Sequence, residues 1–203
     1  PYRIKYDLDY NVGLWHIPNQ IGSYKSEDID ITGIHINKDG IREFRDVQIL
    51  MQRKYRIGIF GDSFVEGLQV GDKETFGYIL NHILGRQCAV FNFGHSGFST
   101  INEFAAYKKV KKKYNLNLVI LTFLIDNDIM GNSMILSRGE NLLYLNKKGE
   151  FVLLVNKDSG LAGIFKIHRF FRDNFVFYSL IYYRLLRPFL WKIAIKDKNI
   201  GHI

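Results

Sequence analysis

Three apolar runs of strand length, each opening directly into a short polar loop, constrain this chain more than any other feature. They are "YRIGIF" (Tyr55–Phe60) before Gly61-Asp62-Ser63, "CAVFNF" (Cys88–Phe93) before Gly94-His95-Ser96-Gly97, and "LNLVILTFL" (Leu116–Leu124) before Asp126-Asn127-Asp128. Unbroken apolar character at this length marks strands covered on both faces. Between the first two runs, Phe76, Ile79, Leu80, Ile83 and Leu84 recur at helical spacing and Gly85 ends the pattern. Between the second and third, Thr100 and Glu103 have the spacing of a capping box ahead of Phe104, Tyr107 and Val110. Strand and helix in alternation predict a parallel α/β sheet with helices on both faces, because right-handed crossovers bury both sides of each strand.

The flanking segments follow different rules. Residues 1–53 are turn-rich, with a β-like piece at "DIDITGIHIN" and a turn at Lys38-Asp39-Gly40, and are read as an N-terminal extension to an α/β domain over 54–203. After Asn132, "LLYLNKKGEFVLLV" has the pattern of a hairpin turning at Asn146–Gly149, and the remainder to about Arg187 reads as helical and aromatic. The stretch Phe175–Ile195 has the length of a membrane span but carries Arg184, Arg187 and Pro188, so it reads as a helix packed on protein. Its second reading is an interfacial helix through which the chain associates with a membrane.

Composition excludes some classes. With 47% hydrophobic and 15% aromatic residues over 203 positions the chain is globular, not disordered. A single cysteine, Cys88, cannot form a disulfide within the chain, is read as a small buried hydrophobe, and leaves the compartment open. The net charge of +8 is scattered except at "KKVKKKY" (Lys108–Tyr114), which reads as the solvated C-terminal end of a helix, where cations are favoured. Without a phosphate loop, zinc-type cysteine spacing or aromatic RNA-binding signature, the expectation is no nucleic acid, no cofactor and no metal.

In an open parallel sheet, ligands bind outside the carboxyl ends of the strands, and all three polar loops fall there. Taken singly, each loop is explained by turn chemistry: Gly and Asp shape the turn, and Ser63 or Asn127 caps a helix. Turn chemistry does not account for this serine, this Ser-Gly and this Asn-Asp in one series. "GDSFVEG", "NFGHSGFST" and "FLIDNDI" resemble the first three sequence blocks of the SGNH (GDSL-type) hydrolases, serine esterases and acyl-transfer enzymes on a three-layer α/β/α flavodoxin-like fold. The upstream "IHINKDGIREFRD" is similar to the N-x-x-G-x-R stretch that precedes the domain in many bacterial members, so the resemblance covers roughly residues 30–135. Ile125 stands where the family's third block has glycine.

The resemblance implies roles. Ser63 would be the nucleophile toward an ester carbonyl of a small-molecule or glycan substrate, and the backbone N–H groups of Ser63 and Gly97 with the Asn127 amide would meet the oxyanion. Asp62 and Asp128 are expected to hold their loops through backbone hydrogen bonds. The family takes its base from an Asp-x-x-His block, and no such spacing occurs between Asp128 and Ile203. His95 reads as a turn residue, His168 as an aromatic-packed helical residue, and His202 follows Asp197 by five positions. With three parallel strands where such a sheet usually has about five, the expectation is an incomplete fold: the front part of a longer enzyme, inactive alone.

Overall fold

The computed structural model describes residues 3–9, 11–132, 143–145 and 151–153. The three apolar runs form one parallel sheet. β5 (Tyr55–Phe60) lies between β6 (Cys88–Asn92) and β7 (Leu118–Leu121), with Gly58 opposite Phe91 on one side and Val119 on the other. (β1 to β4 belong to the N-terminal segment described below.) Period-2 alternation divides the side chains between two faces. Ile57, Ile59 and Val90 make one apolar cluster with Val65 and the half-buried Leu80, while Phe60, Ala89 and Phe91 enter another with Phe93, Ala105, Ala106, Val110 and Tyr114.

These clusters fix the helices. α3 (Phe76–Leu84) covers the Ile59 and Val90 side, and α4 (Thr100–Tyr114) covers the aromatic side, so the α/β layering is present. Two details differ from the sequence reading. α4 starts one residue earlier than the capping-box spacing indicates: Ser99 is the N-cap, its N–H and Oγ–H donating to Asn102 Oδ1 at 3.3 and 2.9 Å. Ser99 keeps extended backbone angles and Thr100 is already helical, so Glu103 falls one position too late to reach back. On α3 the apolar stripe Phe76, Ile79 and Ile83 is exposed among the described residues, and the helix presents Gly77 and Asn81 inward. Asn81 Oδ1 accepts the Val90 N–H at 3.0 Å, tying the helix to an edge of the β6 backbone. Cys88, at the first position of β6, is only half-buried.

The N-terminal segment forms two antiparallel hairpins and a short helix. β1 (Tyr6–Asp9) pairs with β2 (Gly13–His16), β3 (Gln20–Lys25) with β4 (Asp30–Ile36), and α1 (Val47–Met51) leads into β5. Its Val12, Trp15, Ile41 and Leu50 belong to the same buried cluster as Phe60 and Phe91. The basic end of α4 is solvated as expected, with Lys108, Lys109, Lys111, Lys112 and Lys113 all exposed, and two of its lysines also reach the N-terminal segment. Lys109 pairs with Asp9, Lys113 Nζ lies 2.5 Å from Asp39, and the Tyr114 hydroxyl donates to Asp39 at 2.6 Å.

Beyond β7, α5 (Ile125–Gly131) follows, and β8 (Leu143–Leu145) pairs antiparallel with β9 (Phe151–Leu153) as the hairpin pattern predicts. Among the described residues nothing pairs with the second edge of β7, and its Leu118, Val119 and Leu121 are exposed. The turn at 146–149, the stretch 175–195, His168 and His202 lie outside the described residues.

Candidate active site

Parallel pairing puts the carboxyl ends of β5, β6 and β7 at one end of the sheet, and backbone hydrogen bonds continue past the strands to join the loops that follow. Phe93 N–H donates to Ile59 O at 2.8 Å, His95 N–H to Gly61 O at 3.1 Å, and Thr122 N–H to Phe60 O at 2.9 Å. The loops bearing Ser63 and Gly97 and the helix bearing Asn127 therefore leave the sheet side by side.

Ser63 is the first residue of a single helical turn, α2 (Ser63–Glu66), and is half-buried. Asp62 caps that turn, Oδ1 accepting the Phe64 N–H at 2.9 Å, and the turn ends at Gly67 with φ +68°. Gly97 sits in a tight turn closed by Phe98 N–H to His95 O at 3.1 Å, with φ +80° at its third position, as a type II turn requires. Gly97 is exposed, with open space where a Cβ would stand. Neither the Ser63 nor the Gly97 N–H has an acceptor among the described residues. Asn127 lies in the first turn of α5. Asp128, on the same helix, is fully buried and accepts the Leu124 N–H at 2.6 Å through Oδ2. Both aspartates thus hold backbone.

Electrostatics around these loops are set by buried acids. Glu103 of α4 is buried, neither carboxyl oxygen has a partner among the described residues, and burial with the nearby Asp128 and Asp62 charges pushes it up to about 8. Burial, then the Asp62 charge, also raises Asp128 against its hydrogen bond from Leu124. A second buried acid, Glu66 at the end of α2, goes the other way. Burial pushes its carboxyl up, but the hydrogen bond and charge of His16, with hydrogen bonds from Ser96 and Tyr6, more than offset that and hold it below the ordinary range.

Three of the described histidines are engaged elsewhere, and the fourth, His82, lies away from Ser63. His95 is fully buried, its ring stacked between Trp15 and Phe98, and burial with the His16 charge pulls it well below the ordinary imidazole range. It therefore serves the turn and the core. His16 is buried against Glu66, and His82 is in the last turn of α3, at the opposite end of the sheet from Ser63 because the crossover helix runs back along the strands. His35 on β4 meets Asp72 through Nδ1 at 2.7 Å, with no hydrogen bond to Ser63 among the described residues.

Sequence reasoning passed over Glu66, His16 and Tyr6, and noted Arg42 only as part of a motif without giving it a role. Arg42 belongs to the Asn37, Gly40, Arg42 series of the upstream stretch. It is buried and donates to Glu66 O at 2.9 Å, to Gly67 O, to Val70 O at 2.6 Å and to Asp72 Oδ1 at 3.3 Å, so it shapes the chain that leaves α2. Asn37 prepares that placement, its Oδ1 accepting from Asp39 N at 2.8 Å and Ile41 N at 3.2 Å. No protein-family model matches this chain, and no curated protein matches its sequence.

Proposed function

We propose that this chain carries the nucleophile and oxyanion elements of a serine esterase of the SGNH type, on a flavodoxin-like three-layer fold, acting on a small-molecule or glycan ester. The reading is carried by one observation: two backbone N–H groups without acceptors among the described residues, those of Ser63 and Gly97, on loops that leave adjacent parallel strands at the same end.

Ser63 Oγ attacks the ester carbonyl, its proton passing to a base, and the carbonyl oxygen becomes an anion met by the Ser63 and Gly97 N–H groups and the Asn127 amide. Collapse of the tetrahedral adduct breaks the bond to the alcohol, which takes up the proton, and leaves an acyl-serine. Attack by water on the acyl group gives hydrolysis, and attack by a sugar hydroxyl gives O-acyl transfer. The resembled family takes its base from an Asp-x-x-His block, and the burial of His16 and His95 and the place of His82 at the far end of α3 argue against those three in that role.

The competing reading is a non-catalytic α/β binding module that keeps the loops. Labelling of the gene's complete product by a fluorophosphonate probe, with p-nitrophenyl acetate turnover, separates the two. Labelling and turnover that vanish in Ser63→Ala support the esterase, and a folded product that neither labels nor turns over supports the module.

A further inference from the structure

The carboxylate of Glu66 is completely buried and collects donors from three parts of the chain. Oε1 accepts from the Tyr6 hydroxyl and from His16 Nε2, each at 2.5 Å, and Oε2 accepts the Ser96 N–H at 2.7 Å and the Ser96 hydroxyl. His16 Nδ1 stands 3.0 Å from the Gly40 carbonyl, so both ring nitrogens face oxygen atoms and the ring orientation is fixed from both sides. The Tyr6 ring stacks on His16 at 4.8 Å, and the His16 N–H donates to His95 Nε2 at 3.3 Å. The carboxylate, the imidazole and their hydrogen bonds close on one another, with the Glu66 and His16 side chains both fully buried.

A buried ion pair of this kind contributes little net stability relative to well-packed apolar residues, since desolvation offsets most of the attraction. What it supplies is geometry. Glu66 is the last residue of the helical turn that starts at Ser63, and Ser96 is the residue before Gly97. With Ser96 held at both its N–H and its hydroxyl, and the turn closed from Phe98 to His95, little freedom is left for the peptide that carries the Gly97 N–H.

We infer that Glu66, with Tyr6 and His16 of the β1–β2 hairpin, is a positioning set that fixes the Gly97 N–H relative to Ser63, which makes the N-terminal hairpin a working part of the active site. This rests on the esterase reading of Ser63. None of the three is a catalytic residue: each acts through Ser96, and Tyr6 and His16 act through Glu66.

The test uses the complete gene product, steady-state kinetics on p-nitrophenyl acetate, and amide hydrogen exchange of Ser96 compared with Ile59 and Phe91 in the sheet. Glu66→Gln is expected to lower kcat about 100-fold, the scale of losing an oxyanion donor, with KM changed less than about 3-fold. Ser96 exchange should speed up while Ile59 and Phe91 stay protected. His16→Gln, which retains a donor toward Glu66, should keep roughly ten times more kcat than His16→Leu. A folded Glu66→Gln protein with wild-type kcat and wild-type Ser96 exchange overturns the assignment. So does a loss shared equally by His16→Gln, His16→Leu and the sheet amides, which marks a purely structural role. Should Glu66→Gln fail to fold, the two His16 variants and Tyr6→Phe decide by the same criteria. An inactive, unlabelled wild type sinks the esterase reading and this role together, whereas an active wild type with a fully active Glu66→Gln sinks this role alone.

Discussion

Gly94 packs so closely against Glu66 that a Cβ on the glycine would overlap the glutamate's backbone nitrogen and stand 2.6 Å from the Val65 Cβ. The loop after β6 and the helical turn after β5 touch backbone to backbone at this point, and no flexible side-chain end can yield. Gly94→Ala should therefore lower stability by about 3 kcal/mol, the upper range for overpacking a fixed site. Gly97→Ala meets open space and carries only the strain of φ +80°, about 1 kcal/mol. Urea midpoints of the two variants measure the contrast, and equal losses would contradict the close approach.

Arg42 gives a second prediction. Its guanidinium serves three carbonyl oxygens and the Asp72 carboxylate from a buried position. Arg42→Met strands the three carbonyls and leaves the Asp72 carboxylate with His35 alone, at a cost of about 3 kcal/mol. Arg42→Lys should recover little of this, because one ammonium cannot span the carbonyls of Glu66, Gly67 and Val70 together with the Asp72 carboxylate. Equilibrium unfolding of the two variants is the check, and near-wild-type stability for Lys would show that charge alone matters.

The parts of this architecture written in local pattern were legible beforehand. The strands at 55–60, 88–92 and 118–121 and the helices over 76–84 and 100–114 follow from apolar runs, helical spacing and Gly85. The loops converge because parallel pairing leaves them no other end of the sheet to occupy. Glu66, His16 and Tyr6 were not legible, because their role depends on contacts across 30 to 60 positions of chain that no spacing rule encodes. The buried face of α3 was hidden for a related reason: Asn81 is drawn inward by the Val90 N–H, so hydropathy points to the opposite face. Lys109 and Lys113 are solvated as their run indicates, but their pairing with Asp9 and Asp39 was not legible, because those acids reach them only through the folding of the N-terminal segment over α4.

The oxyanion assignment separates binding from catalysis in a third prediction. An amide that meets only the tetrahedral anion contributes nothing to the ground-state complex, so Asn127→Ala should lower kcat by about 100- to 1,000-fold with KM nearly constant. Steady-state kinetics on the complete gene product measure it. A rise in KM at constant kcat would instead mark Asn127 as an ordinary substrate-binding residue.

The acids beside the nucleophile turn yield the fourth. Glu103 is raised to about 8 in the folded protein, first by burial and then by the charges of Asp128 and Asp62, against an ordinary value near 4.5. Between those two values the unfolded chain has released a proton that the folded chain still holds, so unfolding releases protons and stability falls as pH rises. The contribution is fully present below about pH 4.5 and is lost on passing through pH 8. Glutamine mimics the protonated acid without titrating, so Glu103→Gln should match the wild type in acid and exceed it by roughly 2–4 kcal/mol at pH 9, a discounted conversion of the shift. Urea unfolding of both proteins from pH 4 to pH 9 reads this directly. Parallel stability curves across that range would mean that Glu103 ionises normally, and that its carboxylate is stabilised where the folded chain shows only other acids.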